Sequence, residues 1–433
     1  MGDLSGYHLS DNPFPEIPVI DPFVSDIRRN GEIFHAEIFR KEIEGLVIKT
    51  AQGLNVIYLA GIQFDKGIGK SALMINHMRS LRKSEGVTCA YVKCGERDKP
   101  RDAARKIIEQ WHLSGYLWES FKTAFTEFSV VKHDPFLAPD AVAALFKANP
   151  GLPSRLPLNL YTRVRDSLKI AESFSAWAST KVGVKAEDLV VFFSDYLTTP
   201  SDFPGSIKKK SLDILQVYEA YSKFLISFGY KRHYVFLDQF EDMVMGTTKA
   251  GIGKFALEVK GLIKAASGTT TIFVTLHPNS ETMLNVPAAQ DMTGLAPLDA
   301  VHRINVMILD VKGNSAIGLA EEYFKRFRVG DPPYMTYPVE PALLEFICYL
   351  KQGRIRDFLL QLHNALEYGA MNRFPELTLE YACQHPLDVL GREISPRDIA
   401  GYHKYRGEPM APEPTGRSWG GAVKGFKETN KPL

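Results

Sequence analysis

The chain has 433 residues, of which 45% are hydrophobic and 24% charged, with a net charge of +2. These proportions exclude a disordered or fibrous chain, and the length exceeds one ordinary core, so two or three packed units are expected. No apolar run nears the roughly 18 residues that span a bilayer, Met1 to Asp26 lacks a signal peptide's basic head and apolar core, and the near-neutral charge gives no global nucleic-acid signal.

An N-terminal segment, 1–30, comes first. Pro13, Pro15, Pro18 and Pro22 keep Asn12 to Phe23 out of helix, and the segment is expected to be extended and laid on a surface. From about Glu32 to Thr50, apolar residues such as Ile33, Phe34, Ile38, Phe39, Ile43, Leu46 and Val47 recur at three- and four-residue spacing and predict a helix. Asn55 to Ala60 predicts a short buried strand, Gly61 to Gly69 a glycine-rich loop, Lys70 to Lys83 a helix and Thr88 to Lys93 a second strand. That order is the opening βαβ unit of a parallel sheet.

From about 101 to 228 the pattern is helical, broken at prolines, and is expected to be an insertion. Its aromatic-rich stretches, Trp111 to Phe128, Leu160 to Trp177 and Leu189 to Leu197, interleave with lysines as on a nucleic-acid surface, but helical spacing favours a core. Strands are expected at Tyr234 to Leu237, Thr270 to Leu276 and Asn305 to Leu309, with a helix over Lys254 to Ala265. One α/β unit thus runs over 31–310. Helices over Ala316 to Phe327, Glu340 to Leu350 and Arg356 to Ala370 form a small helical lid, 311–385, and 386–433 is a C-terminal segment whose Tyr402 to Leu433 reads as a flexible tail. Cys89, Cys94, Cys348 and Cys383 have no metal-ligand spacing and are expected to be reduced packing residues.

Phe64 to Ser71, F-D-K-G-I-G-K-S, matches the phosphate-loop pattern apart from a phenylalanine at its first glycine. Gly67, Ile68 and Gly69 let the backbone amides curl inward, the following helix adds its positive end, Lys70 reaches the outer phosphates, and Ser71 places a hydroxyl on a metal ion. Ala72 continues that first turn. A plain glycine-rich turn is the alternative, but the flanking strand and the amphipathic helix favour the phosphate loop. A second G-I-G-K, at Gly251 to Lys254, follows no strand and has Phe255 where the metal-binding hydroxyl belongs, so it reads as a helix start. Tyr234 to Asp238 is an apolar strand ending in an acid, and Asp238 is the second expected Mg2+ residue.

With these residues the chain resembles AAA+ ATPases, in particular the origin-recognition-like branch and the STAND signalling ATPases, over about Glu32 to Ala370. The resemblance implies a doubly wound parallel P-loop sheet with a helical insertion and a small all-helical lid, binding ATP with Mg2+. Where many AAA+ proteins carry a glutamate beside the metal aspartate this chain has Gln239, so Glu241 is expected to activate water and hydrolysis to be slow. Gly353-Arg354-Ile355-Arg356 looks like the sensor 2 motif, which assigns Arg356 to the γ-phosphate. Thr275, or else Asn279, corresponds to sensor 1, and Arg303 to the region that presents an arginine finger. The Asn12 to Phe23 segment resembles N-terminal segments that pack on adenine.

For partners, the resemblance and the basic clusters Lys208-Lys209-Lys210 and Lys404, Arg406, Arg417, Lys424, Lys427 suggest DNA or nucleoprotein assembly, although short lysine runs are usually solvated loops. A STAND-like switch acting through protein partners and a scaffold with little hydrolysis are the alternatives. A homo-oligomer on ATP binding, a cytoplasmic location and no membrane partner complete the expectations.

Overall fold

The structure of the protein, a computed structural model, describes residues 3–61, 67–132, 138–153, 164–209, 213–245, 247, 251–277, 291–309 and 314–406. In chain order α1 (Arg40–Ala51), β1 (Val56–Gly61), α2 (Lys70–Leu81) and β2 (Val87–Lys93) come first. The helices α3 (Pro100–Leu113), α4 (Tyr116–Lys132), α5 (Pro139–Ala148), α6 (Val164–Val182), α7 (Ala186–Tyr196), α8 (Phe203–Lys209) and α9 (Ile214–Ser227) follow. Then come β3 (Arg232–Asp238), α10 (Phe240–Met245), α11 (Ile252–Ala266), β4 (Thr270–Leu276) and β5 (Arg303–Val306). The lid contains α12 (Ser315–Phe327), α13 (Pro341–Leu350), α14 (Ile355–Met371), α15 (Leu379–Gln384), α16 (Pro386–Leu390) and α17 (Pro396–Arg406).

The five strands pair in the order β2-β3-β4-β1-β5, every pairing parallel. All six residues of β1 and all seven of β4 are buried, which is why neither stretch alternates with polar residues: both faces of the sheet are covered. On one face Leu46 of α1 and Leu73, Met74 and Met78 of α2 share a core with Ile57, Phe236 and Phe273. On the other, Ile107 and Ile108 of α3, Tyr218 and Leu225 of α9 and Val259 of α11 share one with Val56, Val235 and Ile272. The sheet is therefore the expected doubly wound one.

The helices of the expected 101–228 insertion pack in two ways. Helices α3 and α9 pack against each other, and with β2 and α11 respectively, as layers over the sheet, whereas α4 to α8 pack mainly on other helices. Periodicity does not distinguish a helix on a sheet from a helix on helices, which is why the expected boundary at 101–228 took in both kinds. Trp118, Phe121, Phe125, Phe174, Phe193 and Tyr196 are completely buried, with Phe174 and Phe193 stacked at 4.0 Å between centroids. These aromatics are core, as their spacing indicated, and offer no stacking surface to a nucleic acid.

The N-terminal segment is anchored more deeply than expected. Tyr7, Leu9 and Phe14 join the lid core with Phe324, Leu343 and Leu366. Beyond the antiparallel bridge of Leu9 with Arg328, the segment is held by side chains: Asn12 donates through Nδ2 to the His363 carbonyl (3.1 Å) and to Glu367 Oε1 (3.1 Å), and its Oδ1 accepts the Phe14 amide (3.1 Å). At the other end, α17 runs through Arg406 and buries Tyr402, which donates to Glu345 Oε2 at 3.1 Å. Tyr402 to Arg406, expected in the tail, are thus helical, and residues 407–433 lie outside the described ones. Cys89, Cys94 and Cys348 are buried and Cys383 half-buried. Among the described residues no helix is long and apolar enough to cross a membrane.

Three histidines are held neutral inside this fold. His77 pairs with Thr50 Oγ1 (3.0 Å), His112 with the Tyr196 hydroxyl (2.6 Å), and His233 with Thr88 Oγ1 (2.8 Å) and the Ser222 carbonyl (2.9 Å). Burial pushes each imidazole down to about 4. Because the folded values lie below the unfolded one of about 6.5, unfolding takes up protons below that pH. The stabilisation from neutral imidazoles is complete above about pH 6.5 and is lost as pH falls towards about 4, up to roughly 3 kcal/mol for each histidine. Urea midpoints measured from pH 7.5 to 4.5 are expected to fall steadily below pH 6.5, and a flat profile across that window would refute the assignment.

Candidate functional site

One cleft lies at the C-terminal ends of the strands, where Gly67, Ile68, Gly69, Lys70, Ser71 and Ala72 meet Asp238, Gln239, Glu241 and Arg356. Gly67 and Gly69 have φ of +86° and +95°, a backbone region that side chains disfavour. Close approach adds a second constraint. A Cβ on Gly69 would sit 2.6 Å from the Phe39 ring and 3.1 Å from Ile355, and one on Gly67 would sit 3.0 Å from Arg356 Cβ. Ile68 between them is buried in the face beneath α2. The loop then opens α2, whose first amides lack intrahelical acceptors and whose dipole is positive at this end.

Lys70 is 7% exposed, and its Nζ donates to the carbonyl of Leu276, the last residue of β4, at 2.7 Å. Asp238, the last residue of β3, is buried and accepts bonds from the Tyr91 hydroxyl (2.5 Å), the Gln239 amide (3.1 Å) and Thr275 Oγ1 (3.3 Å). The Ser71 hydroxyl also bonds to it. Burial raises the Asp238 carboxyl above its ordinary value, the bonds from Tyr91 and Ser71 oppose that rise, and the charge of Glu241 reinforces it. A neighbouring hydroxyl and carboxylate form an all-oxygen donor pair that suits a hard divalent cation such as Mg2+, whose remaining positions water and phosphate would fill.

Thr275 sits at the centre of the polar network. Its Oγ1 accepts the Gln239 amide at 2.8 Å and lies 3.1 Å from Glu241 Oε2 as well as 3.3 Å from Asp238 Oδ1. One hydroxyl carries one proton, so Thr275 donates to one carboxylate at a time and links the two. Glu241, 3% exposed in the first turn of α10, has its other oxygen 3.0 Å from His277 Nε2. Gln239 takes a left-handed φ of +58°, which turns the chain between Asp238 and Glu241.

Arg356 opens the lid helix α14 directly over the loop, its amide donating to the Gly67 carbonyl at 3.1 Å. Its Nε is buried with no hydrogen-bond partner among the described residues, whereas the adjacent Arg354 is engaged by Asp357 at 3.0 Å. Arg303 is not brought to the cleft. It begins β5 beside Tyr58, three residues before the strand end, and bonds to Asn305. Asn279 lies outside the described residues. The apolar wall opposite the loop includes Val19, Ile20, Phe34, Leu319 and Tyr323, so the N-terminal segment reaches the cleft while its Asn12 and Phe14 are committed to the lid. Two participants, Tyr91 and His277, carry no motif and were not foreseen. Strand pairing alone brings them to the acids.

No family model matches the chain, and no curated protein matches it. Solved structures of similar architecture include the Aeropyrum pernix ORC1 protein in complex with DNA, 12% identical over 84% of this chain and 68% of that one, with a TM-score of 0.43. The Aeropyrum pernix ORC2 protein, in ADPNP-ADP complexes, is 14% identical over 89% and 73%, with a TM-score of 0.44. Cdc6p from Pyrobaculum aerophilum is 10% identical over 85% and 74%, with a TM-score of 0.42.

Proposed function

We propose that the chain is a nucleotide-switch ATPase of the AAA+ type that binds ATP with Mg2+ and hydrolyses it slowly. The observation that carries this reading is the convergence of Lys70, Ser71, Asp238 and the buried Nε of Arg356, which has no hydrogen-bond partner among the described residues, on one glycine-built loop. A phosphate chain offers acceptors to the α2 amides and an anion to Lys70 and Arg356. Bound Mg2+ would neutralise phosphate charge. Ser71 and Asp238 would hold that ion, Lys70 and Arg356 would stabilise charge on the transferred group, and Glu241 would orient the attacking water.

Arg356→Ala is expected to lower ATP affinity by about tenfold, the weight of one charged hydrogen bond, while ADP affinity stays unchanged. Titration of the full chain with both nucleotides checks this. Equal wild-type affinities, or an unchanged ratio in the variant, would remove Arg356 from the γ-phosphate.

We further propose that the switch drives DNA or nucleoprotein assembly, with a homo-oligomer forming on ATP binding. One set of observations favours a protein-partner switch instead. Lys208 is paired with Glu109 at 3.1 Å, Arg406 with Glu345 at 3.2 Å, and the aromatic stretches are buried. A salt-dependent mobility shift with duplex DNA supports the first reading, and ATP-dependent oligomerisation without any such shift supports the second.

A further inference from the structure

We propose that Tyr91 is a positioning residue for the metal carboxylate, fixing the plane of Asp238 so that Ser71 and Asp238 bind the divalent cation as a pair. This rests on the magnesium-nucleotide reading and adds to it a residue that no motif marks. The parallel register sets Lys93 beside Asp238 and Tyr91 beside Phe236, two residues back along β2. Two strand steps span roughly 6.6 Å, within the reach of a tyrosine side chain lying along the strand direction. The hydroxyl accordingly meets Asp238 Oδ2 at 2.5 Å, while Oδ1 receives Gln239 and Thr275. A carboxylate bonded through both oxygens from different sides cannot rotate freely about its Cβ–Cγ bond.

Tyr91 is itself held. It is buried, and the ring of Phe23, from the N-terminal segment, lies edge-on to it at 6.1 Å between centroids. Phe23 is 59% exposed, so its packing serves that contact more than a core. The segment that lines the cleft through Val19 and Ile20 therefore also touches the group that orients the metal acid.

The test uses Mn2+ as the cation and ADP as the nucleotide on the full chain. Free Mn2+ is read by electron paramagnetic resonance, and ADP affinity is read separately in excess EDTA. Tyr91→Phe keeps the ring and deletes the donor. It is expected to weaken Mn2+ binding to the ADP complex by about tenfold, the low end for loss of an outer partner of a metal ligand, with ADP affinity in EDTA unchanged. In an Asp238→Asn background the same substitution is expected to change nothing further. Mn2+ affinity within twofold of wild type, an equal loss in EDTA, or a full additional loss on top of Asp238→Asn each overturns the proposal. Phe23→Ala, at an exposed position, reads the coupling without touching the core: a smaller loss in the same direction supports it, and should Tyr91→Phe not fold, an unchanged Mn2+ affinity in Phe23→Ala overturns it. A wild-type chain that binds no ADP defeats the nucleotide reading itself, and the role of Tyr91 falls with it. A wild type that binds normally beside an unaltered Tyr91→Phe defeats only the role of Tyr91.

Discussion

Lys70→Ala is expected to reduce ATP affinity by about 100-fold or more, since truncating one partner of a buried, hydrogen-bonded charge pair costs about 2 to 5 kcal/mol and each 1.4 kcal/mol is tenfold. The ammonium is nearly inaccessible and bonds to a strand-end carbonyl, so it enters the cleft already ordered and largely stripped of water. Arg356 approaches from the lid, with its backbone amide bonded to the Gly67 carbonyl. The fold should survive, because alanine suits the first position of α2. A fluorescent ATP analogue binding the variant as tightly as the wild type, with unchanged far-UV circular dichroism, would remove the phosphate-loop assignment.

The parts of this site legible in the sequence are those whose chemistry is local. Gly67, Gly69, Lys70 and Ser71 are contiguous, and a buried strand ending in Asp238 announces itself by four apolar residues in a row. The same holds for the second G-I-G-K, where Gly251 precedes the first turn of α11 as expected of a helix start. The G-x-x-R spacing that singled out Arg356 begins at Gly353, whose φ of +70° precedes the start of α14.

What sequence reading missed depends on strand register and long-range burial. Tyr91 looks like any aromatic in a β-strand until β2 is laid beside β3. Which helices pack on the sheet, the seating of Phe14 in the lid and the burial of Tyr402 were likewise invisible, since proline content and low periodicity describe a segment's own conformation and not what packs on it. Phe39 shows the same limit: its helical spacing predicted a buried face, but not that its ring would occupy the space a Cβ on Gly69 would need.

Gln239 and Glu241 pose the sharpest chemical question, because both line the cleft and only one can be the water-activating position. The geometry favours Glu241. It is 3% exposed, is oriented by Thr275 at 3.1 Å and stands beside His277, whereas Gln239 spends its amide on Thr275 and Asp238 and carries a side chain that cannot take a proton. Glu241→Gln is therefore expected to lower single-turnover hydrolysis by about 100-fold or more, the usual weight of a general base, with ATP binding retained. Gln239→Glu is the informative partner. It adds a third carboxylate to a pocket where Glu241 already raises Asp238, and under this assignment it does not accelerate the reaction. If position 239 were instead the true base site, restoring the acid there would speed hydrolysis and Glu241→Gln would change little. If Glu241 merely orients Gln239, both substitutions slow the reaction. A wild-type rate equal to that of buffer, with ATP bound, would show that the network of Thr275, Glu241 and His277 holds nucleotide without cleaving it.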